Sequence, residues 1–129
     1  MATLTPTLTL VSTDALTDSL NLTATDSLSI LGQSKRFTHV CSATKANLLL
    51  AADYTKSYVY LKNNDAAIVI HIGMDTEADN TIDDDATDLF IELAAGEFAF
   101  FPWSSTYNLH VDAASGTPTL EVMIFQAVA

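Results

Sequence analysis

Seven carboxylates crowd the fifteen residues of MDTEADNTIDDDATD (74–88), and oxygen ligands at that density are the raw material of a calcium site. An EF-hand-type loop needs ligands at positions 1, 3, 5, 7, 9 and 12, a glycine at 6 and a bidentate glutamate at 12. Counted from Asp75, the carboxylates of Glu77, Asp79 and Asp83 fall at 3, 5 and 9, but Asn80 stands at 6 and Ala86 at 12. Both the turn glycine and the chelating glutamate are therefore missing. A looser hard-cation site competes with a plainer reading, a solvated connection between two hairpins. The connection is favoured, because charge runs without a fitted geometry stay hydrated, and no metal is expected.

The other candidates are His39, His71, His110 and the single cysteine, Cys41. Each histidine falls in a separate strand-like segment, and three imidazoles converging in a sandwich can bind zinc or copper. A strand histidine is more often a hydrogen-bonded surface or interface residue. His39 and Cys41 are two apart, which is not a Cys–His catalytic signature, and Cys41 is expected as a small buried hydrophobe. No nucleophile elbow, phosphate loop or zinc-ligand spacing is present. Trp103, Tyr107, Tyr58 and Tyr60 form the set that would stack on a sugar ring, with core or interface packing the favoured alternative. No enzyme and no cofactor are expected.

The elements that must position these residues are strands. SYVYLK (57–62), AAIVIHIG (66–73), DLFIEL (88–93), EFAFFPW (97–103), YNLHVD (107–112) and PTLEVMIFQ (118–126) alternate or run apolar between turn signals. Asn63-Asn64-Asp65, Ala95-Gly96 and Ser115-Gly116 are the turns, and they predict three hairpins over 57–73, 88–103 and 107–126. ANLLLAAD (46–53) reads as a buried strand or a short helix. Pro102 suits a strand end or an edge. TDSLNL (17–22) recurs as TDSLSI (25–30), which predicts either a small hairpin or an extended N-terminal arm pairing with a neighbour. Eight to ten short strands with frequent turns predict an all-β, antiparallel β-sandwich or jelly roll with little or no helix. Residues 1–31 are read as a Thr/Ser/Leu-rich arm or strand pair and residues 32–129 as the sandwich body, one domain overall at 129 residues.

Alternation also assigns faces. Ile68, Ile70 and Ile72 share one side, as do Leu89, Ile91 and Leu93, and Leu120, Val122 and Ile124; these sets are expected to line the core. The opposite faces carry Tyr58, Tyr60, Phe90, Phe101, Trp103, Met123 and Phe125. A sandwich buries one face of each sheet, so apolar residues on the second face imply burial by a partner, unless the register slips by one and exchanges the faces.

Charge sets limits on partners. The net charge is −11, all five basic residues (Lys35, Arg36, Lys45, Lys56, Lys62) lie between 35 and 62, and residues 63–129 hold twelve acidic residues and no Lys or Arg. Phosphate backbones are repelled by such a surface, which argues against nucleic acid as partner. No stretch approaches the roughly 18 apolar residues of a membrane span, so no membrane is expected. MATLTPTLTLVS has neither a basic n-region nor an apolar h-region, so no secretory leader is expected. A single cysteine forms no intrachain disulfide and fits a reducing compartment.

LAAGEFAFFPW, with Gly96 and Pro102, resembles the opening of the second cupin motif, a strand-turn-strand in a metal-binding jelly roll. Ser104 then stands where that motif has glycine and Tyr107 where it has histidine, and His71 is followed two residues on by Gly73 rather than by a second histidine, so the cupin chemistry is absent. The opening TLTPTLTLVSTDALTDSLNLTATDSLSI, the SYVYLKNND segment and LAAGEFAFFPW together resemble small virion proteins of tailed bacteriophages, of the capsid decoration or cement type. That resemblance implies a non-enzymatic homo-oligomer, most readily a trimer, which binds the major capsid protein or other virion proteins and bridges capsomers on the capsid surface after assembly in the host cytoplasm. The expected interface residues are Lys35, Arg36, Lys45, Lys56 and Lys62 on the shell-facing side, with Tyr58, Tyr60, Phe90, Phe101, Trp103 and Phe125. Other expected readings are a head-fibre base, a tail component, or a carbohydrate- or receptor-binding module.

Overall fold

The computed structural model describes residues 1–32, 34–74 and 89–128, with Leu89 and Phe90 described by backbone alone. The acidic stretch 75–88 lies outside the described residues, and with it the weak-cation reading. The chain divides into two compact units, Met1–Gly32 with Val128, and Gln33–Ala127 with Ala129.

The first unit is a long, interrupted hairpin. Strand β1 (Ala2–Leu4) pairs antiparallel with β4 (Leu28–Ile30), and β2 (Thr7–Ser12) pairs antiparallel with β3 (Leu20–Thr25). The break between the two ladders falls at Pro6, which has no N–H to contribute; its carbonyl accepts from the Asp26 N–H at 3.2 Å. At the tip, the Ser12 hydroxyl accepts from the Ala15 N–H at 3.0 Å, a serine turn that reverses the chain. The TDSL repeat is therefore not a hairpin of two copies. Its strands follow one another along the same arm, and both pair with the preceding ATLTPTLTLVS segment. The copies are eight residues apart, an even number, so Leu20, Leu22, Leu28 and Ile30 share a face parity, opposite Ser12, Leu10, Leu4 and Ala2 in register.

The second unit is a two-sheet sandwich. One sheet has the order β10-β7-β12-β5 and the other β6-β11-β8-β9. The strands are β5 (Lys35–Val40), β6 (Ala46–Leu49), β7 (Ser57–Asn63), β8 (Ile70–Met74), β9 (Leu89–Leu93), β10 (Phe98–Trp103), β11 (Leu109–Ala113) and β12 (Thr119–Gln126). All pairings are antiparallel. The all-β sandwich expected from alternation is thus observed. ANLLLAAD resolves into β6 followed by a 3-10 turn at Ala51–Asp53. Pro102 lies in β10, an edge strand.

The three predicted hairpins are corrected. Strands β7 and β8 lie in different sheets, as do β9 and β10, and β11 and β12. Each turn carries the chain across the core from one layer to the other, the winding of an eight-stranded jelly roll. Among the described residues of this unit, only β8 and β9 are consecutive strands that also pair. The acidic stretch therefore joins the two strands of one hairpin instead of linking two hairpins.

Turn chemistry fixes these crossings. The buried Asn63 side chain donates to the carbonyls of Ile68 (2.7 Å) and Leu93 (2.9 Å) and accepts from the Asp65 N–H (2.9 Å). It thereby ties the end of β7 to the end of β9 in the facing sheet. Asp65 in turn accepts from the N–H groups of Ala67 and Ile68 at 2.8 and 2.9 Å. These two backbone donors hold its carboxyl below the ordinary aspartate value of 3.8. A depressed folded value stabilises the fold above the ordinary value and is lost as pH falls through the folded one. Asp65→Asn is therefore expected to flatten the stability profile, read by thermal melting between about pH 5 and pH 2; parallel profiles for the two proteins would refute the cap. Gly116 turns with φ +58°, and a Cβ there would sit 2.9 Å from Ile68 Cδ1.

The core between the layers holds Val59, Leu61, Ile70, Ile72, Leu93, Leu109, Val111, Leu120, Val122 and Ile124, all buried. Cys41 joins them as the small hydrophobe expected.

Candidate functional site

No convergent polar site forms among the described residues. His71 Nδ1 lies 2.8 Å from Asp112 Oδ1 across the β8–β11 ladder, which is two-thirds of an acyl-transfer triad. Cys41 is the third type required, but burial, and secondarily the Asp112 charge, push its thiol up to about 11. A catalytic cysteine needs the opposite shift, so this thiol is a poor nucleophile near neutral pH. His39 lies on β5 in the other sheet, and burial lowers its pKa. No group of three His, Cys, Asp or Glu side chains is placed to hold a metal among the described residues. A shallow groove beside the β9–β10 turn contains Glu92 and Glu97, and Glu97 Oε2 already accepts from the Ala94 N–H at 2.7 Å.

What does converge is aromatic. On β7 the buried residues are Ser57, Val59, Leu61 and Asn63, so Tyr58, Tyr60 and Lys62 point outward. Across the β7–β10 ladder, Tyr58 faces Pro102, Tyr60 faces Phe100 and Lys62 faces Phe98. Across the β7–β12 ladder the same residues face Phe125, Met123 and Glu121. The outer side of this sheet is thus a three-strand apolar field. Tyr58 stacks on Phe100 with centroids 6.5 Å apart, and Tyr60 on Phe98 at 6.4 Å. Both stacks join a residue to its diagonal neighbour on the adjacent strand, the reach expected of aromatic side chains. Phe98 is 62% exposed and Phe100 39%.

Three of the five basic residues, Arg36, Lys56 and Lys62, lie in or beside this field. Lys62 lies within it; Lys56 Nζ sits 5.8 Å from the Tyr58 ring centre. Arg36 faces Met123 across the β5–β12 ladder and pairs with Glu121 at 2.9 Å. The arginine end of that pair is exposed to solvent and screened, so the pair contributes little stability. Lys35 is set differently, with Nζ 5.4 Å from the centre of the Tyr54 ring, and Tyr54 packs against the core. Lys45 lies between β5 and β6, outside the outward face of the sheet.

Three of the expected aromatics are thus brought together on one face: Tyr58, Tyr60 and Phe125. Two others are corrected. Trp103 is 4% exposed and belongs to the core, and Phe101 packs against that core. On β10 the inward positions are Ala99, Phe101 and Trp103, which leaves Phe98, Phe100 and Pro102 outward. Every position of EFAFFPW is apolar after Glu97, so alternation carries no sign and the register slipped by one. The sugar-stacking set loses its tryptophan by the same correction. Phe90 has no described side chain. Sequence reading missed Phe98 and Phe100; the usable signal was Pro102, whose missing N–H suits the edge strand, while the face itself was set by pairing with β7.

Neither a protein-family model nor a characterised protein sequence matches the chain. Among solved structures, similarity is found to a chain of the Bacillus endospore appendages, described as "a novel family of disulfide-linked pili". The TM-score is 0.47 and the identity 17%, over 79% of this chain and 91% of that one. A likeness of that degree carries no functional argument.

Proposed function

We propose that this chain is a non-enzymatic structural protein of a virion, of the capsid decoration or cement type, which docks to neighbouring protein subunits through the outer face of the β10-β7-β12-β5 sheet. The observation that carries the reading is the aromatic field itself. A contiguous apolar patch in which Phe98 and Phe100 are exposed and stack on half-buried Tyr60 and Tyr58 marks an interaction surface, and aromatics, Met and Arg are the residue types enriched at interfaces. Stacking also restricts the rings before docking, which lowers the entropic cost of ordering them on contact.

Docking of this kind cements a particle by mass action: whatever binds only the assembled form lowers its free energy relative to its parts. Lys56, Lys62 and Arg36 at the margin favour an acidic partner surface and fast encounter. The virion assignment, the homo-oligomeric state and the capsid partner rest on the resemblance of the TLTPTLTLVS opening, SYVYLKNND and LAAGEFAFFPW to tailed-phage virion proteins.

The test adds purified protein to empty shells of the phage that encodes it and counts occupancy by electron cryo-microscopy. Saturable binding at regular surface positions is expected, with Lys56→Glu/Lys62→Glu reducing apparent affinity by about tenfold. Bare shells, combined with a thermal shift on a glycan panel, would replace this reading with the receptor-binding one.

A further inference from the structure

We propose that the occupant of the aromatic face is the N-terminal hairpin of a second copy of this chain, laid leucine side down across β10, β7 and β12. The inference rests on the reading of that face as a protein-docking surface and names the neighbouring subunit that fills it, another copy of this chain; shell binding then belongs to the self-assembled form.

The hairpin supplies the first argument. Leu8, Leu10 and Leu22 share one side of the β2–β3 ladder, with Ala24 opposite Leu8 and Leu22 opposite Leu10. They are 48%, 43% and 45% exposed. The other side carries Thr7, Thr9, Thr23 and Thr25, with Val11 and Asn21. A two-stranded ribbon has no second layer of its own and is marginal in water without one, so an amphipathic ribbon of this kind needs a cover for its leucine side.

Dimensions supply the second. Six-residue β2 and β3 run about 20 Å, as do the six residues of β10, and β7 has seven. Two apolar sheet faces of matched length pack at about 10 Å with interdigitating side chains.

Charge decides between the possible pairings. Residues 1–32 carry Asp14, Asp18 and Asp26 and no Lys or Arg, whereas the aromatic face carries Lys56, Lys62 and Arg36 against one carboxylate, Glu121, which is paired with Arg36. Hairpin against hairpin brings carboxylates together, and field against field brings lysines together. Hairpin against field alone joins opposite signs. The contact is heterologous, so it runs from copy to copy and either closes into a ring or continues as a chain.

Two variants of the full chain test this by sedimentation. Leu10→Asp/Leu22→Asp disables the hairpin, and Phe98→Ser/Phe100→Ser disables the field. Wild type is expected to self-associate, and each variant alone to weaken association by about thirty-fold or more. An equimolar mixture retains one intact hairpin and one intact field, so it is expected to stop at dimers. A monomeric wild type overturns the inference. So does a field variant that associates normally, which would mean hairpin-to-hairpin contact, or a hairpin variant that does, which would mean field-to-field contact. Thermal melts verify folding. Should either variant lack a transition, Lys56→Glu/Lys62→Glu takes its place, with weakened association expected and unchanged association overturning the contact. Loss of self-association with shells still occupied removes this inference alone; intact self-association with bare shells removes the virion reading alone.

Discussion

Trp103→Ala is expected to destabilise the sandwich by about 3–5 kcal/mol, the range for truncating a large buried aromatic. Trp103 is the last residue of β10 and the only tryptophan in the chain. Its ring is buried in the core, lies edge-on to Tyr54 with centroids 6.0 Å apart, and its Nε1–H donates to the Tyr107 carbonyl at 3.2 Å. Alanine leaves a cavity and leaves the Tyr107 carbonyl without its donor; β10, held in register by β7, has little freedom to collapse into the gap. Urea unfolding followed by far-ultraviolet circular dichroism reads the loss without needing the fluorophore. Trp103→Phe keeps most of the ring and is expected to lose less. Phe100→Ala, three residues away on the outer face, is expected to change stability by less than about 1 kcal/mol. Equal losses at Trp103 and Phe100 would mean that the two faces of β10 are assigned the wrong way round.

Asn63→Ala is expected to cost about 2–4 kcal/mol through hydrogen bonds and not through volume. The side chain is wholly buried, and each of its polar atoms is used: two donations to the Ile68 and Leu93 carbonyls and one acceptance from Asp65 N–H. Alanine leaves those backbone groups without a partner in a buried corner where the two sheets meet. Asn63→Asp is expected to be worse, because a carboxylate cannot donate and would face two carbonyl oxygens. Hydrogen exchange should show faster opening at Asp65 and at the β7–β8 crossing for both variants. Unchanged unfolding midpoints would show that water replaces the clamp and that the corner is not dry.

Asn63 also marks how far the sequence could be read. Asn63-Asn64-Asp65 announced a turn, and a turn is there. What it could not announce was the destination, because a reversal of the chain looks the same whether the next strand hydrogen-bonds to the last or crosses to the facing layer. All three predicted hairpins failed for this one reason, while Ile70 and Ile72 on β8 and Leu120, Val122 and Ile124 on β12 were placed in the core correctly. Each of those strands has at least one polar residue between apolar ones, His71 on β8 and Glu121 on β12, so their alternation carries a sign. EFAFFPW has no such contrast, and its inward set came out shifted by one position. The candidate site inherited that shift: Tyr58 and Tyr60 were legible from SYVYLK, where Ser57, Lys62 and Asn63 frame the pattern, but Phe98 and Phe100 were exchanged for Phe101 and Trp103.

By itself, then, the order of residues determined the class of the fold, the inward faces of the strands with polar contrast, the acid-rich and base-poor character of the second half, and a burial state for Cys41 that its shifted thiol reflects. Those are local or summed properties, fixed by side-chain type and a period of two. Only the tertiary structure decided which strands are neighbours, and hence that residues 98, 100, 58, 60, 123 and 125, drawn from three separate segments, share one surface. Pairing between strands far apart in sequence depends on which faces can be buried together, and no local pattern encodes it.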